Sequence, residues 1–404
     1  MPAERAVRTS ASTPRGVGAL RIGMRSAAVF AGAALIAGVA ASAAATYFAR
    51  LVVSPRRSRP DDVEILGYGT DTVILRSGAD TAAPGRFGVW LDGGRGHVRL
   101  GPVVDHDPYA GTVTRTLLGV DSGTLRAGPG RWNQYYYAGT PKTALGLTYH
   151  DVGVPTTIGP MPAWYVPPHP DVPARDTWVI LVHGRGATRE ECLRALPVLH
   201  RLGFPTLTVS YRNDAEAEEV PTGRYHLGEA EWRDVQEAAA HAVRQGAQGL
   251  ILFGWSMGGA ITLQLLARSP LADRVRAVVL DAPVLDWRDV LRHQARMNRV
   301  PTPLGRLSES VLEHRHGRRL VGIETPLSLD RLDWVGRAAE LSVPVLVLHS
   351  EDDEYVPVGP SRALARARPE IVTFVPSFGA RHTQEWNLDP QSWETAVARF
   401  LLEL

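Results

Sequence analysis

Hydrophobic positions fall into three successive patterns along the chain. The first is a run without charge, Ser26 to Ala49, between Arg25 and Arg50. It exceeds the about 20 apolar residues that cross a bilayer, and Tyr47 and Phe48 stand where an interfacial aromatic belt belongs. This predicts a single-pass membrane anchor over 26–49, after a basic tail at 1–25 and before a Pro- and Arg-rich linker at 50–62. A cleaved signal peptide, ending near Ala43-Ala44-Ala45, and a buried helix are the alternatives. The second pattern, over 63–146, has no helical period. Short β-prone runs recur at Thr72–Leu75, Phe87–Leu91, His97–Leu100, Thr112–Leu117 and Trp132–Tyr137, separated by Gly- and Asp-rich turns, which predicts a small β-rich region. Tyr135, Tyr136 and Tyr137 are read as packing residues, with a binding surface as the alternative.

The third pattern, over 147–404, alternates apolar runs of strand length with helical stretches. Strands are predicted at Leu147–Val152, Trp164–Val166, Trp178–His183, Pro205–Ser210, Leu250–Phe253, Ala277–Leu280, Val343–His349 and Ile371–Val375. Helices are predicted near Thr188–Leu202, Gly228–Gln245, Met257–Arg268, Arg331–Leu341, Pro360–Ala367 and Gln391–Leu402. Nearly continuous apolar strands alternating with helices imply a mostly parallel, eight-stranded sheet covered on both faces. The first two strands have no helix between them, so they are expected as an antiparallel edge. An insertion at about 285–330 is expected to cap the sheet.

Composition narrows the class. With 404 residues, 44% of them hydrophobic and 21% charged, the chain has the balance of a globular protein. The single cysteine, Cys192, excludes an intrachain disulfide scaffold or thiolate zinc site. The net charge of +2 conceals a division: residues 1–60 carry nine arginines against Glu4, and the remainder is slightly acidic. An acidic body argues against nucleic acid as partner.

The sharpest chemical signal is Gly254-Trp255-Ser256-Met257-Gly258-Gly259, directly after an apolar strand and before a helix. A nucleophile elbow needs that context. The serine sits on a strained turn so that its hydroxyl stands above the sheet, and the flanking glycines relieve crowding. The helix N-terminus favours negative charge nearby. The second signal is His183-Gly184-Arg185-Gly186 at the end of another predicted strand. Its small residues leave backbone N–H groups free to face an oxyanion, so the hole is assigned to the amides of Met257 and Arg185. His183 is read as structural. The Arg185 side chain is open between substrate and solvent, as is Trp255 between pocket lining and packing.

Together with Asp353-Glu354-Tyr355-Val356-Pro357 and a late His382, these motifs make residues 147–404 resemble the serine hydrolases of the α/β-hydrolase fold, an esterase, lipase and peptidase superfamily. The resemblance implies that Asp353 is the triad acid. Asp352 is its nearest competitor, and Asp281 or Asp286 would serve in members that carry the acid after an earlier strand. His382 lies in a Gly-bearing loop before the C-terminal helix, no other histidine follows His349, and the order Ser256, Asp353, His382 suits this fold. The implied reaction is attack by Ser256 with His382 as base, an acyl-enzyme, and its hydrolysis, with no metal or organic cofactor. The leading expectation is a membrane-anchored hydrolase of carboxylic esters or thioesters acting on a small or lipid-like acyl substrate. A peptidase of the same fold and a non-catalytic interaction protein are the alternatives. His314 and His316 lack supporting ligand spacing and are read as solvated. Tyr211-Arg212-Asn213 is open between substrate contact and loop hydrogen bonding.

Overall fold

The computed structural model describes residues 38–55 and 59–404. A helix, α1, spans 38–53, and then the chain builds two sheets. The first is a closed antiparallel barrel of six strands, β1 (Val63–Tyr68), β2 (Thr72–Arg76), β3 (Phe87–Leu91), β4 (Gly96–Asp107), β5 (Thr112–Ser122) and β6 (Gly128–Asn133), ordered β1-β2-β5-β4-β3-β6. Alternate residues such as Val63 and Ile65, Val73 and Leu75, and Val98 and Leu100 fill its interior. Closure leaves no unpaired edge. The alternation of short strands foretold β structure here, but β1 was not anticipated. The run expected over Trp132–Tyr137 ends at Asn133, whose side chain accepts from Tyr135 N–H at 2.9 Å and donates to Tyr137 O at 2.9 Å. That local hydrogen bonding and a left-handed Tyr136 (φ 68°) turn the chain out of the sheet.

The second sheet holds β7 (His150–Thr156), β8 (Gly159–Val166), β9 (Thr177–Val182), β10 (Thr206–Val209), β11 (Gly249–Trp255), β12 (Val275–Asp281), β13 (Val345–Ser350) and β14 (Val372–Ser377), ordered β14-β13-β12-β11-β9-β10-β8-β7. Its pairings from β10 through β14 are parallel, and those of β8 with β10 and with β7 are antiparallel. The antiparallel edge expected of the first two strands is the β7–β8 hairpin, whose short turn needs no crossover helix; β8 pairs antiparallel with β10 as well, so the sheet is mixed where the apolar runs had suggested a mostly parallel one. The connections carry the short helices α2 (Pro141–Leu145), α3 (Leu196–Arg201) and α9 (Gly359–Ala367), and α4 (Trp232–Arg244), α5 (Met257–Arg268) and α11 (Pro390–Leu402) are among those that cover the two faces over two apolar clusters. The insertion between β12 and β13 forms α6 (Trp287–Met297), α7 (Thr302–Glu313) and α8 (Gly317–Val321). No helix forms over Arg331–Leu341, where only short 3-10 turns occur. There the Asp333 carboxylate accepts from the amides of Val335 and Gly336, a local turn that competes with helix.

The anchor expected over 26–49 falls partly outside the described residues. Among those residues no helix is long and apolar enough to cross a membrane. The helix α1 continues past Ala49 to 53 and buries the stripe Ala45, Ala49 and Val53, spaced by four residues, with Ala49 and Val53 packed into the hydrolase-like core. Over its described part, 38–49, the run that charge-free composition suggested as a free anchor is instead a helix lying on protein along one face.

Candidate active site

Ser256 ends β11 and caps α5 with φ 51° and ψ −116°, a backbone conformation that a non-glycine residue adopts only under constraint. The constraint is local: Ser256 N–H donates to Asp281 O at 3.0 Å, and its carbonyl accepts from Gly259 and Val284 amides, each at 3.0 Å. A Cβ on Gly258 would collide with the Val182 carbonyl, and one on Gly259 would lie 2.8 Å from Pro283 Cβ. These glycines therefore let α5 start hard against β9 and the loop after β12.

The loop before α10 (Glu385–Leu388) brings His382 over this turn. Its Nε2 is 2.9 Å from Ser256 Oγ and its Nδ1 is 2.7 Å from Asp353 Oδ2. A carboxylate only accepts, so Nδ1 carries the proton and, in the neutral ring, Nε2 accepts from the serine hydroxyl. Asp353 is further fixed by Tyr355 and Val356 amides on Oδ1, both at 2.8 Å, and by His349 Nε2 on Oδ2 at 3.1 Å. Burial alone would raise the Asp353 carboxyl, but His382 and His349 outweigh it and hold it well below the usual carboxylate range. Burial alone would lower the His382 imidazole, but the Asp353 charge outweighs it and raises its affinity for a proton above the ordinary histidine value.

The competing acids are engaged elsewhere. Asp352 accepts from Gly379 N–H at 2.7 Å, Asp281 from Trp393 Nε1 at 2.7 Å, and Asp286 caps α6 through Arg288 N–H at 2.8 Å. The loop of Gly184 and Arg185 lies against the serine: a Cβ on Gly184 would sit 3.1 Å from Ser256 Cβ. Among the described residues, the amides of Met257 and Arg185 donate to no backbone or side-chain acceptor, so two N–H groups remain available beside the serine.

Residues that drew no attention in the sequence hold this loop. Buried Glu191 accepts from Gly184 N–H at 2.6 Å and from Thr383 Oγ1 at 3.3 Å, tying the Gly184 loop to the residue after His382. Arg194 donates to Thr383 O at 2.6 Å and to Asn387 Oδ1 at 2.8 Å. Asn387 Nδ2 then donates to Arg86 O at 2.6 Å and Gln134 O at 2.7 Å on the barrel. Charged and amide side chains inside a predicted helix or after a loop carry no spacing signal, so only the fold could reveal them.

His183 is structural: its ring nitrogens face Gly184 O and Asp214 Oδ2, both at 2.9 Å. Burial opposes the charged ring, but Asp214 prevails and raises its pKa. Tyr211 Oη donates to Gly184 O at 3.0 Å, Arg212 forms a two-pronged pair with Asp234, and Asn213 bonds to backbone, so that tripeptide supports loops. Trp255 stacks on Phe253 at 4.3 Å and is fully buried. Tyr136 and Tyr137 pack on Trp386, each at 5.5 Å. The Arg185 guanidinium is half-buried and engaged by protein groups. It donates to Val52 O at 2.6 Å and Leu51 O at 2.7 Å, capping the C-terminus of α1, and to Tyr355 Oη at 3.1 Å. The rings of His314 and His316 are 5.1 Å apart, and the described residues contain no group of three or more His, Cys, Asp or Glu placed to hold a metal ion.

A family model described as alpha/beta hydrolase fold matches residues 177–318, and a domain of unknown function, DUF8805, matches 64–133, the span of the barrel. The chain is 23% identical over 253 residues to the uncharacterized protein YqkD of Bacillus subtilis, covering 61% of this chain and 77% of that one. It is 24% identical over 225 residues to the lysophosphatidylserine lipase ABHD12 of Danio rerio, covering 50% of this chain and 53% of that protein. Among solved structures, the Pyrococcus furiosus esterase Pf2001 superposes with a TM-score of 0.50 at 16% identity, covering 66% of this chain and 94% of the esterase. The second sheet with its helices therefore has the α/β-hydrolase fold.

Proposed function

We propose that this chain is a serine hydrolase that cleaves carboxylic esters or thioesters through an acyl-enzyme. The observation that carries the reading is the continuous relay at the elbow, with Ser256 Oγ 2.9 Å from His382 Nε2 and His382 Nδ1 2.7 Å from Asp353 Oδ2. Ser256 attacks the carbonyl carbon as His382 takes its proton, and Asp353 orients and balances the imidazolium. The amides of Met257 and Arg185 receive the oxyanion. His382 returns the proton to the leaving alcohol or thiol, then activates water for deacylation. A small or lipid-like acyl compound is the substrate class, in keeping with the lipase among its relatives.

The test is labelling by a fluorophosphonate probe together with turnover of p-nitrophenyl acyl esters. Folded protein is expected to label at Ser256, and Ser256→Ala to lose labelling and about 10⁴-fold or more in kcat. Absence of labelling and of turnover in the folded protein overturns the proposal.

A further inference from the structure

Beside the relay, α1 and the helices α6 and α7 enclose a cavity of about 300 Å³. Its walls include Phe48 and Val52 from α1 and Leu291, Ala295, Val300 and Leu312 from the insertion. The side-chain donors that border it are already engaged. Gln294 donates to Tyr355 O at 2.8 Å, Asn298 to Gln294 O at 2.8 Å, and Ser308 to Leu304 O at 3.0 Å. Arg185 spends its donors on α1 carbonyls and on the Tyr355 hydroxyl. The cavity thus offers apolar walls and no unmatched charge, which favours an apolar guest and penalises a polar one.

Two of its lining residues adjoin the reacting groups. Arg185 carries the amide assigned to the oxyanion, and the Tyr355 ring lies 5.2 Å from the His382 ring. A chain attached to a carbonyl held at Ser256 has this cavity as its neighbouring apolar space. At the lower end of ligand-pocket volumes, which begin at about 300 Å³, it suits one chain rather than two. On the outside, α1 exposes Val39 and Tyr47, so apolar surface borders the helix that forms the wall.

We propose that this cavity binds the acyl chain of a medium-chain, singly acylated substrate, with α1 as one wall of the acyl site. The proposal rests on the serine-hydrolase reading and adds the substrate class. It also gives α1 a role in specificity: the same helix lines the chain and is clamped by Arg185 to the loop that holds the oxyanion.

The experiment compares p-nitrophenyl octanoate with p-nitrophenyl acetate on the full chain, with decanoate binding by calorimetry as a second readout. Ala295→Phe fills the cavity and is expected to lower the octanoate-to-acetate ratio of kcat/KM about tenfold or more, and to abolish decanoate binding. Phe48→Ala, on the opposite wall, is expected to shift preference toward dodecanoate, and keeps the test open if the first variant fails to fold. Chain-length ratios unchanged in both variants overturn the acyl site. If no ester is turned over and no probe labels Ser256, the hydrolase reading fails separately. Decanoate binding then decides the cavity: binding to the unaltered protein that Ala295→Phe abolishes supports it, and no binding overturns it.

Discussion

The barrel and α1 approach the same site from different directions, and they do so by different forces. Asn387, on the helix after His382, meets the barrel through Arg86 O, Gln134 O and the Arg86 amide, the last at 2.8 Å to its own carbonyl. Arg381, beside His382, bridges Asp80 of the barrel side and Glu354. These are directional bonds, those of Asn387 half-buried, and each has few alternative geometries. The helix α1 lays small apolar residues along the core, and its directional bonds gather near its C-terminal end: Arg185 to the carbonyls of Leu51 and Val52, Tyr225 N–H to Val53 O, and Arg50 to Leu320 O. Apolar contact is non-directional and tolerates a gap, and a cavity lies there. The contrast assigns precision to one side and accommodation to the other: in the proposed reaction the base tolerates little displacement, whereas the proposed guest chain needs room.

That contrast can be broken by substitution. The largest expected effect is on the directional side. Asn387→Ala removes a buried amide and strands two barrel carbonyls and the Arg194 guanidinium, at a cost of about 3 kcal/mol or more in urea unfolding. A loss below about 1 kcal/mol would mean that the barrel does not brace the His382 loop. Next comes Glu191→Ala, which frees Gly184 N–H and Thr383. We expect kcat to fall about a hundredfold with KM nearly unchanged, because the Arg185 amide is needed mainly in the transition state. An equal effect on KM alone would place Glu191 in substrate binding instead.

The apolar side should respond less. Val53→Ala deletes methyl groups from the α1 contact and is expected to cost about 1–2 kcal/mol, read by the same unfolding measurement. A loss as large as that of Asn387→Ala would erase the distinction between the two sides. The smallest effect concerns pH. His382 works as a base only when neutral, and Asp353 raises its pKa, so kcat/KM should climb with pH through a midpoint above the ordinary histidine value. The charge of Glu191 also favours the protonated ring, so Glu191→Gln should move that midpoint toward acid. A midpoint that stays in place would exclude Glu191 from the electrostatics of the base.

Much of the hydrolase-like region was legible from residue order. All eight strands of the second sheet were anticipated within a few residues, because each is a short apolar run bounded by turns. The residues Ser256, Asp353 and His382 were singled out because an elbow and an acid loop leave local marks, and the fold brings these residues together. The insertion's helices were not anticipated, nor was the failure of helix at Arg331–Leu341, where a single Asp333 turn outweighs a favourable pattern. The first strand of the barrel escaped notice because Val63–Tyr68 is a short run in a turn-rich stretch.

Period, turn chemistry and motif order therefore placed the strands and singled out Ser256, Asp353 and His382, since each of those properties is written within a few neighbouring positions. Long-range contact decided the rest: that the β runs close on themselves, that Asn387 is held by the barrel, that Glu191 pins the Gly184 loop, and that α1 lies on the protein and walls a cavity. Most of these contacts join residues far apart in the chain, such as Glu191 with Thr383 and Asn387 with Arg86 and Gln134, and a polar or apolar side chain carries no local sign of which distant partner will satisfy or bury it.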